Sequence, residues 1–140
     1  MRIDKLTTKF QEALGDAQSL ALANDNAYIT PVHVLAAMLK QQDGPRPLLE
    51  RAGANVQGLL ASAESAVKRL PQVQGQEQVQ PDRDLVTLLQ AAEKEALKRG
   101  DQFIASELFL LAYADSKLDS AKLLREHGVT RKALEAAVDA

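Results

Sequence analysis

Apolar residues fall at helical spacing almost from the start of the chain. Phe10, Ala13, Leu14, Ala17 and Ala21 recur every three or four positions and predict a first helix running to about Asn24. Thr7 and Thr8 are both candidate caps, and Thr8 with Gln11 fits a capping box. Thr30-Pro31 marks a second start, an N-cap followed by proline at the first helical position. Val32, Leu35, Ala36 and Leu39 carry that helix to about Gln42. A Gly/Pro-rich turn over 43–47 leads into a short third helix with Leu48, Leu49 and Ala52, stopped by Gly53. Asn55 opens a fourth, with Val56, Leu59, Leu60, Ala63 and Val67 on one face up to Leu70.

The stretch 71–81 has a different texture. Glutamine stands at 72, 74, 76, 78 and 80 around Gly75, and the only large apolar residues are Val73 and Val79. It reads as a linker. Its alternation mimics a strand, but a lone strand in a helical chain has nothing to pair with. Periodicity then resumes. Asp82 or Asp84 opens a fifth helix with Leu85, Leu88, Leu89, Ala92 and Ala96, and Gly100 closes it. Ser106 and Glu107, a small polar residue and an acid, open a sixth that carries Leu108, Leu111 and Ala112. A seventh holds Ala121, Leu123 and Leu124 and stops at Gly128; Thr130 caps an eighth with Leu134 and Val138.

The second set of helices repeats the first. A shift of 75 residues superposes the halves without a gap: Leu14 on Leu89, Ala17 on Ala92, Ile29 on Ile104, Leu48-Leu49 on Leu123-Leu124, Gly53 on Gly128. About a dozen identities in about 58 pairs, mostly at apolar or turn positions, mark an internal repeat. The expected fold is all-α, an eight-helix bundle of two pseudo-twofold four-helix units. Repeat one occupies 1–70, the linker 71–81 and repeat two 82–140. Each half alone is near the size at which a core is marginal, so the halves are expected to pack as one domain.

Composition narrows the function. A net charge of −2 gives no overall pull toward nucleic acid or an anionic membrane. The absence of cysteine excludes disulfides and thiolate chemistry. No apolar run approaches the roughly 18 residues of a membrane span, and the first residues carry no apolar segment of a secretory signal. A soluble, cytoplasmic, monomeric domain is the expectation. His33 and His127 are too far apart for a zinc-ligand spacing; His33 reads as a hydrogen-bonded structural residue and His127 as a dipole partner at a helix end. No Gly-x-x-x-x-Gly-Lys-Ser/Thr loop is present, so the chain offers no cradle for nucleotide phosphates and is not expected to be an enzyme by itself.

Several stretches together resemble the N-terminal domain of the Clp/Hsp100 ATPases, the double Clp-N motif. They are residues 1–10, Ala17-Gln-Ser-Leu-Ala-Leu22, Asp25-Asn26, Thr30-Pro-Val-His33, Arg69-Leu-Pro-Gln-Val73 and Arg99-Gly-Asp-Gln-Phe-Ile104 with Ser106-Glu-Leu108. Arg69-Leu-Pro-Gln-Val73 tilts the likeness toward the ClpB-type disaggregases. The resemblance implies a ring-top module that engages unfolded or aggregated polypeptide and passes it to a hexameric ATPase ring, which works with the Hsp70 system. ATP and magnesium would belong to that ring, and no cofactor is implied for this chain. An apolar groove is then required. Leu85, Val86, Leu88 and Leu89 make the fifth helix broadly apolar, and the groove is expected to be lined by Leu85, Val86, Leu89, Leu108 and Phe109. Thr7, Asp101 and Glu107 match positions at which the family is functionally sensitive. Each also has a local role open to it: cap, turn and dipole partner. Two other readings stay open. One is the adaptor-docking domain of a ClpA/ClpC-type unfoldase that feeds a protease; the other is a stand-alone regulator built from the same repeat.

Overall fold

The computed structural model describes residues 2–75 and 77–140. Met1 of the N-terminal stretch and Gln76 of the glutamine-rich stretch lie outside the described residues. Eight α-helices lie among those described: α1 (Thr8–Ala23), α2 (Pro31–Lys40), α3 (Arg46–Arg51), α4 (Val56–Lys68), α5 (Arg83–Arg99), α6 (Ser106–Ala114), α7 (Ala121–Glu126) and α8 (Arg131–Asp139). The fold is all-α apart from two short paired segments. Polar side chains start most of the longer helices by accepting an otherwise orphaned backbone N–H. Thr7 accepts from Phe10, Asn55 from Gly58, Asp82 from Leu85 and Thr130 from Ala133. The first cap is therefore Thr7 rather than Thr8, because Thr8 already has helical geometry.

The core is organised around α2 and α6. Nine residues of α2, Pro31 to Leu39, are buried, and so are eight of α6; no other helix is covered on nearly every side. Helix α1 packs on α2 and α5 on α6, while α4 and α8 close the other flanks of α2 and α6. Helices α3 and α8 touch across the two halves, as do α4 and α7. An aromatic row crosses the middle. Phe10 of α1 lies 5.6 Å from Phe109 of α6, which lies 5.7 Å from Tyr113 in an edge-to-face contact. All three are fully buried, and burying each such ring stabilises by about 2–3 kcal/mol.

Backbone pairing also ties the halves together. Strand β1 (Tyr28–Ile29) pairs in parallel with β2 (Gln80–Pro81), Tyr28 opposite Gln80 and Ile29 opposite Pro81. A parallel bridge joins Leu6 to Ile104. Leu6 and Pro81 are equivalent under the 75-residue shift, and so are Ile29 and Ile104. In each case the segment leading into a repeat's first helix pairs with the turn before the second helix of the other repeat. The end of the linker is thus a strand after all. Its partner comes from the first repeat, which a reading of local alternation had no means of supplying. Val79 is buried beside it, and Val73 N–H donates to Asp25 O at 2.7 Å, so the linker is docked against the first repeat at both ends.

Candidate functional site

On α5 the inward face is Leu85, Leu88, Ala92 and Ala96, at the i, i+3, i+7 and i+11 positions of one stripe. Leu85 is 1% exposed and belongs to the core. Leu108 and Phe109 are also core, because α6 is enclosed by α5, α7 and α8. These three do not line a surface groove, and this corrects the expectation for them. Val86, next to the buried stripe, is 41% exposed, and Leu89 is half-buried at its edge. Of the five expected groove residues, Val86 and Leu89 alone offer apolar surface.

The three polar candidates separate differently. Thr7 caps α1 with its Oγ1, accepting from Phe10 N–H at 3.2 Å, and its own N–H donates to Ile104 O at 3.0 Å. Because Ile104 leads into α6, that bond brings the start of α6 beside the start of α1. Thr7 and half-buried Glu107 consequently share the wall of one cleft of about 520 Å³, which Lys9, Asp43, Arg51 and Ser106 also line. Asp101 is not part of it. Its N–H donates to Ala96 O at 2.9 Å, finishing the C-terminal turn of α5 after Gly100, whose φ is 70°.

Ser106 is the residue that sequence reasoning misplaced. It was expected to begin α6 as a capping residue, but the N-cap is Ala105 and Ser106 is the first helical residue. Its Oγ is buried without a hydrogen-bond partner. The only sequence signal, a serine before an apolar run, does not separate an N-cap from the position after it.

The equivalent place in the other half holds a cavity of about 290 Å³ with Asp82 where the first has Thr7. Asp84 and Asp119 line it too, and no lysine or arginine does. Burial raises the Asp82 carboxyl, the N–H of Leu85 pulls it back down, and the charge of Asp84 raises it further. Beside this cavity His33 is fully buried. Thr30 N–H donates to its Nδ1 at 2.8 Å, so the ring proton sits on Nε2 and is donated to Asn26 Oδ1 at 2.8 Å. Asn26 Nδ2 in turn donates to Pro71 O at 3.1 Å. Burial lowers the His33 pKa to about 4, which leaves the ring neutral and structural. His127 ends α7, with Nδ1 2.7 Å from Leu123 O. Among the described residues no group of three or more histidines or carboxylates is placed to hold a metal ion, and no helix is long and apolar enough to cross a membrane.

Two covered α-helical repeats joined by crossed backbone pairs, with clefts at the equivalent helix starts, place the chain structurally. Residues 5–127 match the family described as the Clp repeat N-terminal domain. The chain is 45% identical to the chaperone protein ClpB of Pseudomonas putida over 99% of its own length and 16% of that relative's. It superposes on the Hsp104 N-terminal domain from Candida albicans with a TM-score of 0.83 at 19% identity, covering 95% of this chain and 88% of that one. It superposes on the ClpV N-domain in complex with VipB peptide with a TM-score of 0.75 at 25% identity, covering 94% and 83% of the two chains. The chain belongs to the Clp repeat N-terminal domain family, a module of the Clp/Hsp100 proteins. It spans about 16% of the length of the curated relatives it matches.

Proposed function

We propose that this domain engages unfolded or aggregated polypeptide on behalf of a ClpB-type disaggregase and passes it to a hexameric ATPase ring. The observation that carries the reading is identity of 45% with a ClpB chaperone across 99% of the chain. ATP and magnesium belong to the ring in this reading, and the Hsp70 system acts with the whole protein. The binding surface is the exposed flank of α5 at Val86 and Leu89, apolar and unspecific enough to take misfolded clients weakly. An NMR titration with a permanently unfolded, apolar-rich protein tests it. Shifts centred on Val86 and Leu89 that persist at high salt support the reading; no shifts anywhere overturn it.

A second reading is favoured by the cleft at Thr7 and Glu107. Its mixed charges, Lys9, Asp43, Arg51 and Glu107, suit a polar and specific partner such as an adaptor protein. Adaptor binding there would weaken as salt screens the charges, whereas apolar client binding would not.

A further inference from the structure

Two cavities flank the β1–β2 pair and adjoin across Thr30 and Leu70, which line both. The first, about 210 Å³, is walled almost entirely by apolar surface from Tyr28, Leu70, Pro71 and Val73. Tyr28 is 57% exposed and Val73 45%, among the most exposed large apolar residues described. The second is the acidic cavity of about 290 Å³ with Asp82, Asp84 and Asp119. The result is one groove with an apolar end and an acidic end.

Its walls are held in place before anything binds. Asn26 Nδ2 donates to Pro71 O at 3.1 Å, Gln72 Nε2 to Asn24 O at 3.0 Å, and Asn24 Nδ2 to Val67 O at 2.9 Å. Asp82 is occupied as the cap of α5. Asp84 and Asp119 have no ion-pair partner among the described residues. Nearby basic residues do not neutralise them: Arg69 is bonded to Ser65 Oγ at 2.8 Å, and neither it, Arg83 nor Lys117 lines the groove.

We infer that this groove docks an extended polypeptide segment in which apolar side chains adjoin an arginine or lysine. The apolar side chains rest on Tyr28, Leu70 and Val73, and the cation faces Asp84 and Asp119. Each cavity is below the roughly 300 Å³ at which small-molecule sites begin, which suits one or two side chains apiece. Unpaired carboxylates beside an apolar wall select a basic neighbour and repel an acidic one. The inference rests on the polypeptide-engaging reading and adds to it a second contact, one with a charge preference that the flank of α5 lacks.

The test uses two labelled peptides, Gly-Leu-Leu-Val-Arg-Arg-Gly and the same peptide with glutamates for the arginines. Fluorescence anisotropy measures affinity and NMR locates contact. The arginine peptide is expected to bind about tenfold more tightly at low salt, the effect of two weakly screened charge pairs. It should shift Tyr28, Leu70 and Val73, and Asp84→Asn with Asp119→Asn should reduce the preference to about twofold or less. The cap Asp82 is left intact, and circular dichroism checks that the variant folds. Val86→Gln with Leu89→Gln should leave the preference unchanged. Equal binding of the two peptides, or a preference that survives the asparagine variant, overturns the inference. If an unfolded protein still shifts Val86 and Leu89 in that case, the proposed function stands without it. If neither the peptides nor the unfolded protein shift anything, both fall.

Discussion

Gly53 and Gly128 occupy the same place in the two repeats and meet back to back. Both are left-handed, at φ 92° and 90°, and each ends a short helix. A Cβ on Gly128 would stand 3.0 Å from Gly53 O, whereas a Cβ on Gly53 would meet nothing within 4 Å. The adjoining backbone bond, Asn55 N–H to His127 O at 2.9 Å, leaves little freedom to move apart. Gly53→Ala is therefore expected to cost about 1–2 kcal/mol, the left-handed penalty alone. Gly128→Ala should cost more, by roughly a further 1 kcal/mol of close contact. Urea denaturation of the two variants measures the difference, and equal losses would mean that the backbone at this contact gives way freely.

His33 makes stability depend on pH. Its folded pKa of about 4 lies below the ordinary 6.5, so between these values the unfolded chain takes up a proton that the folded one refuses. Stability from this residue is complete above about pH 6.5 and is lost as pH falls toward 4, by about 3 kcal/mol in all. His33→Gln keeps a side chain able to reach back to Thr30 N–H, as glutamine does in a capping box, and removes the titration. Chemical denaturation from pH 7 to 4 should show a shallower decline in the variant than in the parent. Comparing the two isolates His33 from carboxylates such as Asp82, whose raised pKa acts in the opposite sense.

Helix α8 is fastened to α5 by charge. Arg131 lies 2.6 Å from Glu95 and 3.1 Å from Glu135, and Arg99 lies 2.7 Å from Asp139. The Glu95 side chain is only 13% exposed, so loss of its partner strands a partly desolvated carboxylate. Arg131→Ala is expected to cost about 1–3 kcal/mol and Lys40→Ala, whose pair with Glu64 is well exposed, less than about 1. A double-mutant cycle of Arg131→Ala with Glu95→Gln checks it; additive losses would show that the pair contributes nothing.

Much of this architecture was legible because the information is local. Thr30-Pro31, Asn55, Asp82 and Thr130 announce helix starts, and the spacing of Leu85, Leu88, Ala92 and Ala96 announces a buried face. The repeat was legible because equivalent environments kept similar residues. What was not legible depends on partners distant in sequence. Gln80-Pro81 becomes a strand only because Tyr28-Ile29 lies alongside. Leu108 and Phe109 look like exposable apolar residues until α5, α7 and α8 close over α6. Val86 and Leu85 are neighbours of similar chemistry, and only the packing of α5 decides which one faces solvent.

Ser106 offers a test of a buried polar group. Its Oγ has no partner and sits at the cleft shared by Thr7 and Glu107. Removing it relieves an unpaid desolvation, so Ser106→Ala is expected to be neutral or to stabilise the free domain by about 1 kcal/mol. Thermal denaturation reads the sign. A clear loss of stability would show that the hydroxyl is satisfied in solution, by a bridging water for instance.

Core and surface on α5 and α6 are separable by substitution. Phe109 touches both Phe10 and Tyr113 and is fully buried, so Phe109→Ala should cost about 3–5 kcal/mol, and Leu108→Gln should unfold much of the domain by burying an unpaired amide. Val86→Gln with Leu89→Gln should cost about 1–2 kcal/mol, mostly from half-buried Leu89, and leave the helical circular dichroism spectrum intact. If that folded variant still binds an unfolded protein as the parent does, the exposed flank of α5 is not the client surface. Binding lost with the fold retained separates recognition from stability, which variants at Leu85, Leu108 or Phe109 have no power to do.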